Sequence, residues 1–203
     1  MPTSVQNCPP SRQGQNKLLL KKIAALLEIS MIDGVRVIDC KKNLDERGYF
    51  AELFRDDWRD FFGEDHLVQF NLAFSYPGMI RAWHRHMKGQ NDYFACINGS
   101  VKVCAFDDRD GSGTKGELDE IVLNGRERLQ VARVLGTCWH GYKVVSSEPA
   151  TIMYGVTRLY DAKGPDEERR SWEDKTLVPN SINGRKDDPR VGSPYNWNFP
   201  PHK

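Results

Sequence analysis

Residues 93–106 read Tyr93-Phe-Ala-Cys-Ile-Asn98-Gly99-Ser-Val101-Lys-Val-Cys-Ala-Phe106. Two short runs rich in β-branched and aromatic residues flank an Asn-Gly pair, which is a strong local signal for a tight β-hairpin. Neither run is long enough for an ordinary helix, so this stretch predicts strands Tyr93–Ile97 and Val101–Phe106. The same texture extends in both directions. Upstream, strands are expected at Val35–Asp39, Tyr49–Phe54, Leu67–Phe74 and Met79–His86, with Pro77-Gly78 marking a turn. Downstream they are expected at Leu118–Leu123, Leu129–Leu135, Gly141–Val145 and Thr151–Thr157, beyond a polar Asp/Gly-rich loop from Asp107 to Gly116. About ten strands with few helix-length patterns between them predict an all-β sandwich or barrel.

The ends differ from this middle. Residues 1–15 are polar and carry Pro2, Pro9, Pro10 and Gly14, whereas Lys17 to Ser30 has helical spacing through Leu20, Ile23, Ala24 and Leu27. The expected organisation is a tail and short helix over 1–30, a β-barrel over 31–160 and an extended tail over 161–203. Met31, at the head of the first strand-like run, is an alternative native start. In the last segment Tyr195, Trp197 and Phe199 predict that the tail packs back on the body.

Composition narrows the function. The 203 residues include 29 Lys and Arg against 28 Asp and Glu, a formal charge of +1, which argues against a general nucleic-acid or anionic-membrane binder. Hydrophobic residues at 39% suffice for a folded core. The apolar stretch Leu18 to Ile29 contains Lys21 and Lys22 and is far shorter than the roughly 20 apolar residues a membrane span needs. Cys8, Cys40, Cys96, Cys104 and Cys138 form no C-x-x-C pair, and neither a disulfide framework nor a zinc finger is expected. With no secretory signal pattern at the N-terminus, a reducing cytoplasm is the expected compartment.

The histidines carry the chemistry. His84 and His86 form an H-x-H pair whose side chains share one strand face. Asp92 precedes the next strand, and His140 follows a plausible turn at Leu135-Gly136. Converging at a barrel mouth, His84, His86, Asp92 and His140 would suit a divalent iron, manganese, zinc or nickel ion. A neutral histidine would equally serve as a general base. Spacing alone does not choose.

Several motifs in a fixed order resemble the dTDP-4-dehydrorhamnose 3,5-epimerase family of the cupin superfamily. Asp45-Glu-Arg-Gly-Tyr-Phe-Ala-Glu52 resembles D-E-R-G-F-F-x-E, and Val68-Gln-Phe-Asn71 matches V-Q-x-N. Ile80-Arg-Ala-Trp-His84 resembles L-R-G-L-H, and Trp139-His-Gly-Tyr142 resembles A-H-G-F. Tyr154-Gly-Val-Thr157, with Tyr160 and Trp172-Glu-Asp174, resembles the region of the family's catalytic tyrosine.

The resemblance implies a cupin-type jelly-roll β-barrel. It implies an isomerase that inverts C3, C5 or both of a nucleotide-linked 4-keto-6-deoxy sugar, in deoxysugar and polysaccharide biosynthesis. His84 would be the base, Tyr154 would return the proton, and Arg81 and His140 would hold the sugar oxygen that becomes an enolate. Arg47, Phe50, Glu52, Gln69 and Asn71 would bind the nucleotide diphosphate, some of them across a homodimer. No cofactor and no metal is implied.

Two positions depart from the family. Asp92 stands where relatives carry an enolate-stabilising lysine, with Lys88 a nearby substitute, and His86 replaces a glutamine. Both changes move the site toward a metal-dependent cupin or a sugar 3,4-ketoisomerase, the two alternative activities. The family's late aspartate, which orients the base, matches Asp187 or Asp188.

Overall fold

The computed structural model describes residues 32–200. The expected N-terminal helix, the start at Met31 and Cys8 lie outside the described residues. In chain order the strands are β1 (Arg36–Asp39), β2 (Asn43–Asp45), β3 (Gly48–Phe50), β4 (Gln69–Ser75), β5 (Ile80–Arg85), β6 (Asn91–Asn98) and β7 (Ser100–Phe106). They continue with β8 (Glu117–Asn124), β9 (Gln130–Leu135), β10 (Trp139–Val144), β11 (Ala150–Val156), β12 (Glu168–Arg169) and β13 (Ser181–Ile182). One helical turn, α1 (Arg59–Phe62), precedes β4.

Two sheets face each other in a jelly roll. The first has the order β1-β9-β6-β11-β4 and the second the order β12-β5-β10-β7-β8-β13; β2 and β3 form a separate ribbon. From β4 to β11 the chain crosses to the opposite sheet at each step except β7 to β8, which pair directly. This corrects the expected hairpin at Asn98-Gly99. The turn is real and Gly99 has φ 74°, but it carries the chain from one sheet to the other. A Cβ at Gly99 would lie 2.9 Å from the Pro149 carbonyl, so the corner needs glycine for space as well as for its backbone angle. Local turn chemistry specifies a reversal; which neighbours a strand then takes depends on the whole sheet.

The alternation along each strand explains the layers. Val101, Val103 and Ala105 of β7 point between the sheets, where they meet Phe94, Cys96, Ile121, Ala132 and Ile152. Cys104 and Phe106 point outward and are covered by the tail, through Leu177, Tyr195 and Trp197 packed with Trp83. On the far side Tyr93, Ala95 and Val131 are covered by Phe61 and Phe62. Both sheets are therefore buried on two faces over much of their area, so strands such as β6 and β9 read as apolar runs without clean alternation.

Element boundaries shift modestly. The expected strand Tyr49–Phe54 ends at Phe50, because Ala51, Leu53 and Phe54 leave the ribbon to pack on the outer cluster. Pro77-Gly78 turns as expected, with Met79 N–H donating to the Tyr76 carbonyl at 3.2 Å. Asp92 lies inside β6, not before it. Among the described residues no helix is long and apolar enough to cross a membrane.

Candidate active site

One end of the space between the sheets stays open as a cavity of about 620 Å³. Its walls follow from register. In the first sheet Tyr154 lies opposite Phe94 on β6 and Asn71 on β4, and the next inward row holds Gln69, Val156 and Asp92. In the second sheet His140 on β10 pairs with His84 on β5, and Tyr142 pairs with Arg81. Period-two alternation sends Tyr154, Asn71, Gln69 and Asp92 into the cavity from the first sheet, and on β5 the register irregularity between the His140–His84 and Tyr142–Arg81 pairs brings both His84 and Arg81 to it from the second.

The three histidines meet. Ring centroids are 4.3 Å apart for His84 and His140, 5.8 Å for His84 and His86, and 5.6 Å for His86 and His140. His140 Nε2 lies 3.0 Å from Asp92 Oδ2, while His140 Nδ1 donates to the Cys138 carbonyl at 2.9 Å. His86 Nδ1 donates to the Asp166 carbonyl, and its Nε2 lies 3.6 Å from Asp92 Oδ2. The Gln90 amide donates to Asp92 Oδ1 at 2.7 Å and approaches His86 Nε2 at 3.1 Å. One donor atom from each of His84, His86, Asp92 and His140 falls within 4.8 Å of all the others.

Burial and neighbours set the charges. Desolvation, reinforced by His140, holds His84 well below the ordinary imidazole pKa, against the pull of Asp92. Desolvation pushes His86 the same way, but the Asp92 carboxylate and the Asp166 carbonyl outweigh it and its pKa ends raised. Desolvation opposes ionisation of Asp92, yet contact with His140 and His86 more than reverses this and keeps the carboxylate charged. The Tyr154 hydroxyl is pushed up, first by burial and then by Asp92, so it stays protonated. Opposite it, Arg81 Nε donates to Ser75 Oγ at 3.1 Å, and that hydroxyl also meets Tyr142 OH at 3.0 Å.

Some expected residues lie elsewhere. Arg47 sits on the β2–β3 ribbon, paired with Asp45 and with 82% of its side chain exposed. Phe50 is 67% exposed on the same ribbon, and Glu52 pairs with Arg55 at 2.6 Å. None of the three lines the cavity of this chain. Asp187 is exposed beside Arg185, and Asp188 is bound to Arg190 on the outer face of the second sheet, so neither borders the cavity.

Other residues were not singled out in the sequence. Arg158 and Asp166 reach the cavity from the segment between β11 and β12, Arg169 from β12 itself and Arg170 just after it. The Asp166 carboxylate accepts from the Met87 and Lys88 amides at 2.9 Å, clasping that segment to the turn after β5. No local pattern announces such a clasp. Gln90 was legible in principle, because it stands two residues before Asp92 and shares its face.

Residues 30–187 match the family described as dTDP-4-dehydrorhamnose 3,5-epimerase. The probable low-salt glycan biosynthesis epimerase Agl13 of Haloferax volcanii is 42% identical over 142 residues, covering 70% of this chain and 89% of that one. The spore coat polysaccharide biosynthesis protein SpsL of Bacillus subtilis is 40% identical over 147 residues, covering 72% and 94%. Among solved structures, dTDP-6-deoxy-D-glucose-3,5-epimerase from Legionella pneumophila, in complex with dTDP-4-keto-L-rhamnose, is similar with a TM-score of 0.64 and 28% identity over 70% of this chain and 76% of that one.

Proposed function

The chain belongs to the dTDP-4-dehydrorhamnose 3,5-epimerase family, and from that premise we propose that it inverts C3, C5 or both of a nucleotide-linked 4-keto-6-deoxy sugar. The observation that carries this reading is that His84 and Tyr154 enter one cavity from opposing sheets, a base and an acid on two sides of whatever lies between them. Inversion at a carbon needs that arrangement.

The chemistry is a proton shuttle beside a ketone. His84, kept neutral by burial, takes the proton from the carbon next to C4. The electron pair moves onto the C4 oxygen as an enolate, which Arg81 on the cavity wall stabilises; His140, expected to share that task, is fully buried behind the wall with both ring nitrogens engaged, by the Cys138 carbonyl and by Asp92. Tyr154, kept protonated, returns a proton to the opposite face. Proton and electron pair both return to the sugar, so the step consumes no redox cofactor. Gln69 and Asn71, joined by a 2.7 Å hydrogen bond, present amides on the nucleotide side. The exposed Arg47, Phe50 and Glu52 complete that side across a homodimer. The setting is cytoplasmic biosynthesis of a deoxysugar for a glycan, in keeping with the printed names of the Haloferax and Bacillus relatives.

Paired variants test the assignment in heavy water. His84→Ala abolishes deuterium uptake beside the ketone. Tyr154→Phe retains proton removal but slows formation of the inverted sugar by a general-acid factor of about 10²–10⁴. Normal turnover by both folded variants would contradict these roles, and a product whose carbonyl has moved to C3 would assign ketoisomerisation instead.

A further inference from the structure

An enolate formed near the charged Asp92 carboxylate needs compensating positive charge. Both ring nitrogens of His140 are engaged, which leaves Arg81 on that wall. Lys88, the substitute expected from the sequence, donates its Nζ to the Gly164 carbonyl at 3.3 Å, and Arg158 donates to the Lys88 carbonyl at 3.0 Å. Both tie the segment after β11 to the turn after β5. The pairing of β12 with β5 brings a different cation to the base. Trp83 and Arg170 exchange both backbone hydrogen bonds, at 3.2 and 3.0 Å, so the next residues along, His84 and Arg169, form the non-hydrogen-bonded pair of that ladder. Side chains at such a pair share a face and stand closest, with Cβ atoms about 4.5–5.5 Å apart. To either side, Glu168 accepts from Arg85 Nε at 2.7 Å and Arg170 lies 4.2 Å over the Trp139 ring. Arg169, between them, faces the cavity with His84.

His84 thus has His140 as its neighbour on β10 and Arg169 as its neighbour on β12. The first is fully buried, whereas the second stands at the mouth with 76% of its side chain exposed, on the flank of the base that an entering sugar meets. Glu167 holds one terminal nitrogen, Nη2, through both carboxylate oxygens at 2.9 and 3.0 Å. Among the described residues Nε and Nη1 have no acceptor, so two donors of the guanidinium fork are left for a ligand. Burial and His140 do most to hold the His84 pKa down, and the charge of Arg169 adds to them. We infer that Arg169 donates to the sugar C4 oxygen as it becomes an enolate, from the flank of His84 opposite His140, and that with Arg81 it offsets the Asp92 carboxylate. The role rests on the epimerase reading above. Arg169 keeps its protons throughout and forms no bond to carbon. Because the negative oxygen appears only as the proton leaves, Arg169 acts on the rate more than on binding of the ketone.

The test is deuterium uptake in heavy water by full-length protein, offered nucleotide-linked 4-keto-6-deoxy sugars that include dTDP-4-keto-L-rhamnose. Rates are read at saturation with a sugar that wild-type protein labels, and KM is measured alongside. Near-ultraviolet circular dichroism reports folding of each variant. Arg169→Met is expected to slow uptake at saturation by about 10²-fold, with a smaller change in KM. Arg169→Lys, which keeps the charge and loses the fork, is expected to recover part of that rate. Glu167→Gln is expected to slow uptake less than Arg169→Met, because the charge remains and only its placement loosens. A raised KM with an unchanged rate at saturation would overturn the enolate role and make Arg169 a contact for the diphosphate. Unchanged rate and KM in folded Arg169→Met would overturn it too, as would Arg169→Lys no faster than Arg169→Met. In each of these cases wild-type protein still labels its sugar and the epimerase reading stands. Wild-type protein that labels none of the sugars contradicts the epimerase reading, and the role of Arg169 falls with it.

Discussion

At the scale of the residue, the cavity assigns opposite tasks to similar groups through their surroundings. His84 and His86 stand two positions apart, yet one is pushed below and the other above the ordinary imidazole pKa, because only His86 combines the Asp92 carboxylate with a backbone carbonyl. Arg81 has the simplest role and gives the clearest residue-level prediction. Its guanidinium is steadied by Ser75, and in the proposed reaction it faces the sugar oxygen that becomes an enolate. Arg81→Ala is expected to lower kcat by roughly 10²–10³ with a smaller change in KM, in line with loss of one oxyanion donor. Steady-state kinetics decide it, and a change confined to KM would move Arg81 from the enolate to simple substrate binding.

At the scale of the element, β5 and β10 must lie close together for His84 and His140 to be cross-strand partners. Gly141 permits this. A Cβ there would fall 2.4 Å from both the Arg81 carbonyl and the Ala82 Cβ, beside the irregular register between His140 and Tyr142. Gly141→Ala is expected to destabilise the fold by about 1–3 kcal/mol and to reduce activity beyond what stability explains, as the two histidines separate. Denaturant unfolding together with activity of the still-folded fraction measures both; wild-type values for each would mean the strands have slack.

The same strands show what the sequence could convey. The runs now seen as β5, β7, β8, β9 and β11 were legible within a residue or two, because β-branched residues and turn signals are local. The sheet change at Asn98-Gly99 was not, since a turn does not encode which partners its strands find. The tiny β12 and β13 carry no propensity signal, and their pairing with β5 and β8 depends on the tail finding the sheet. For the site, period two placed His84 and His86 on one face, and the ordered motifs added Tyr154, Arg81 and His140. Asp166 and the arginines near it come from a segment distant in sequence, and only tertiary closure brings them in.

At the scale of the whole molecule, one face remains apolar and open. Phe70, Leu72 and Phe74 alternate along the outer side of β4 with exposures of 52%, 72% and 55%, and Phe50 and Leu44 on the ribbon are exposed as well. A row of this kind on an edge strand invites a second copy. Light scattering is expected to give twice the chain mass, and Leu72→Glu with Phe74→Glu is expected to give monomers that bind nucleotide sugar weakly, because in the proposed dimer it is Arg47 and Glu52 of one copy that complete the cavity of the other. A monomeric wild-type protein with full activity would contradict the shared site.

Proton transfer beside a sugar ketone is the chemistry proposed for this cavity. Its most direct test is nuclear magnetic resonance in heavy water with wild-type protein and a set of nucleotide-linked 4-keto-6-deoxy sugars. Enzyme-dependent deuterium is expected at C3, C5 or both, with inversion at the labelled carbon. Folded protein that leaves every substrate unlabelled would contradict it.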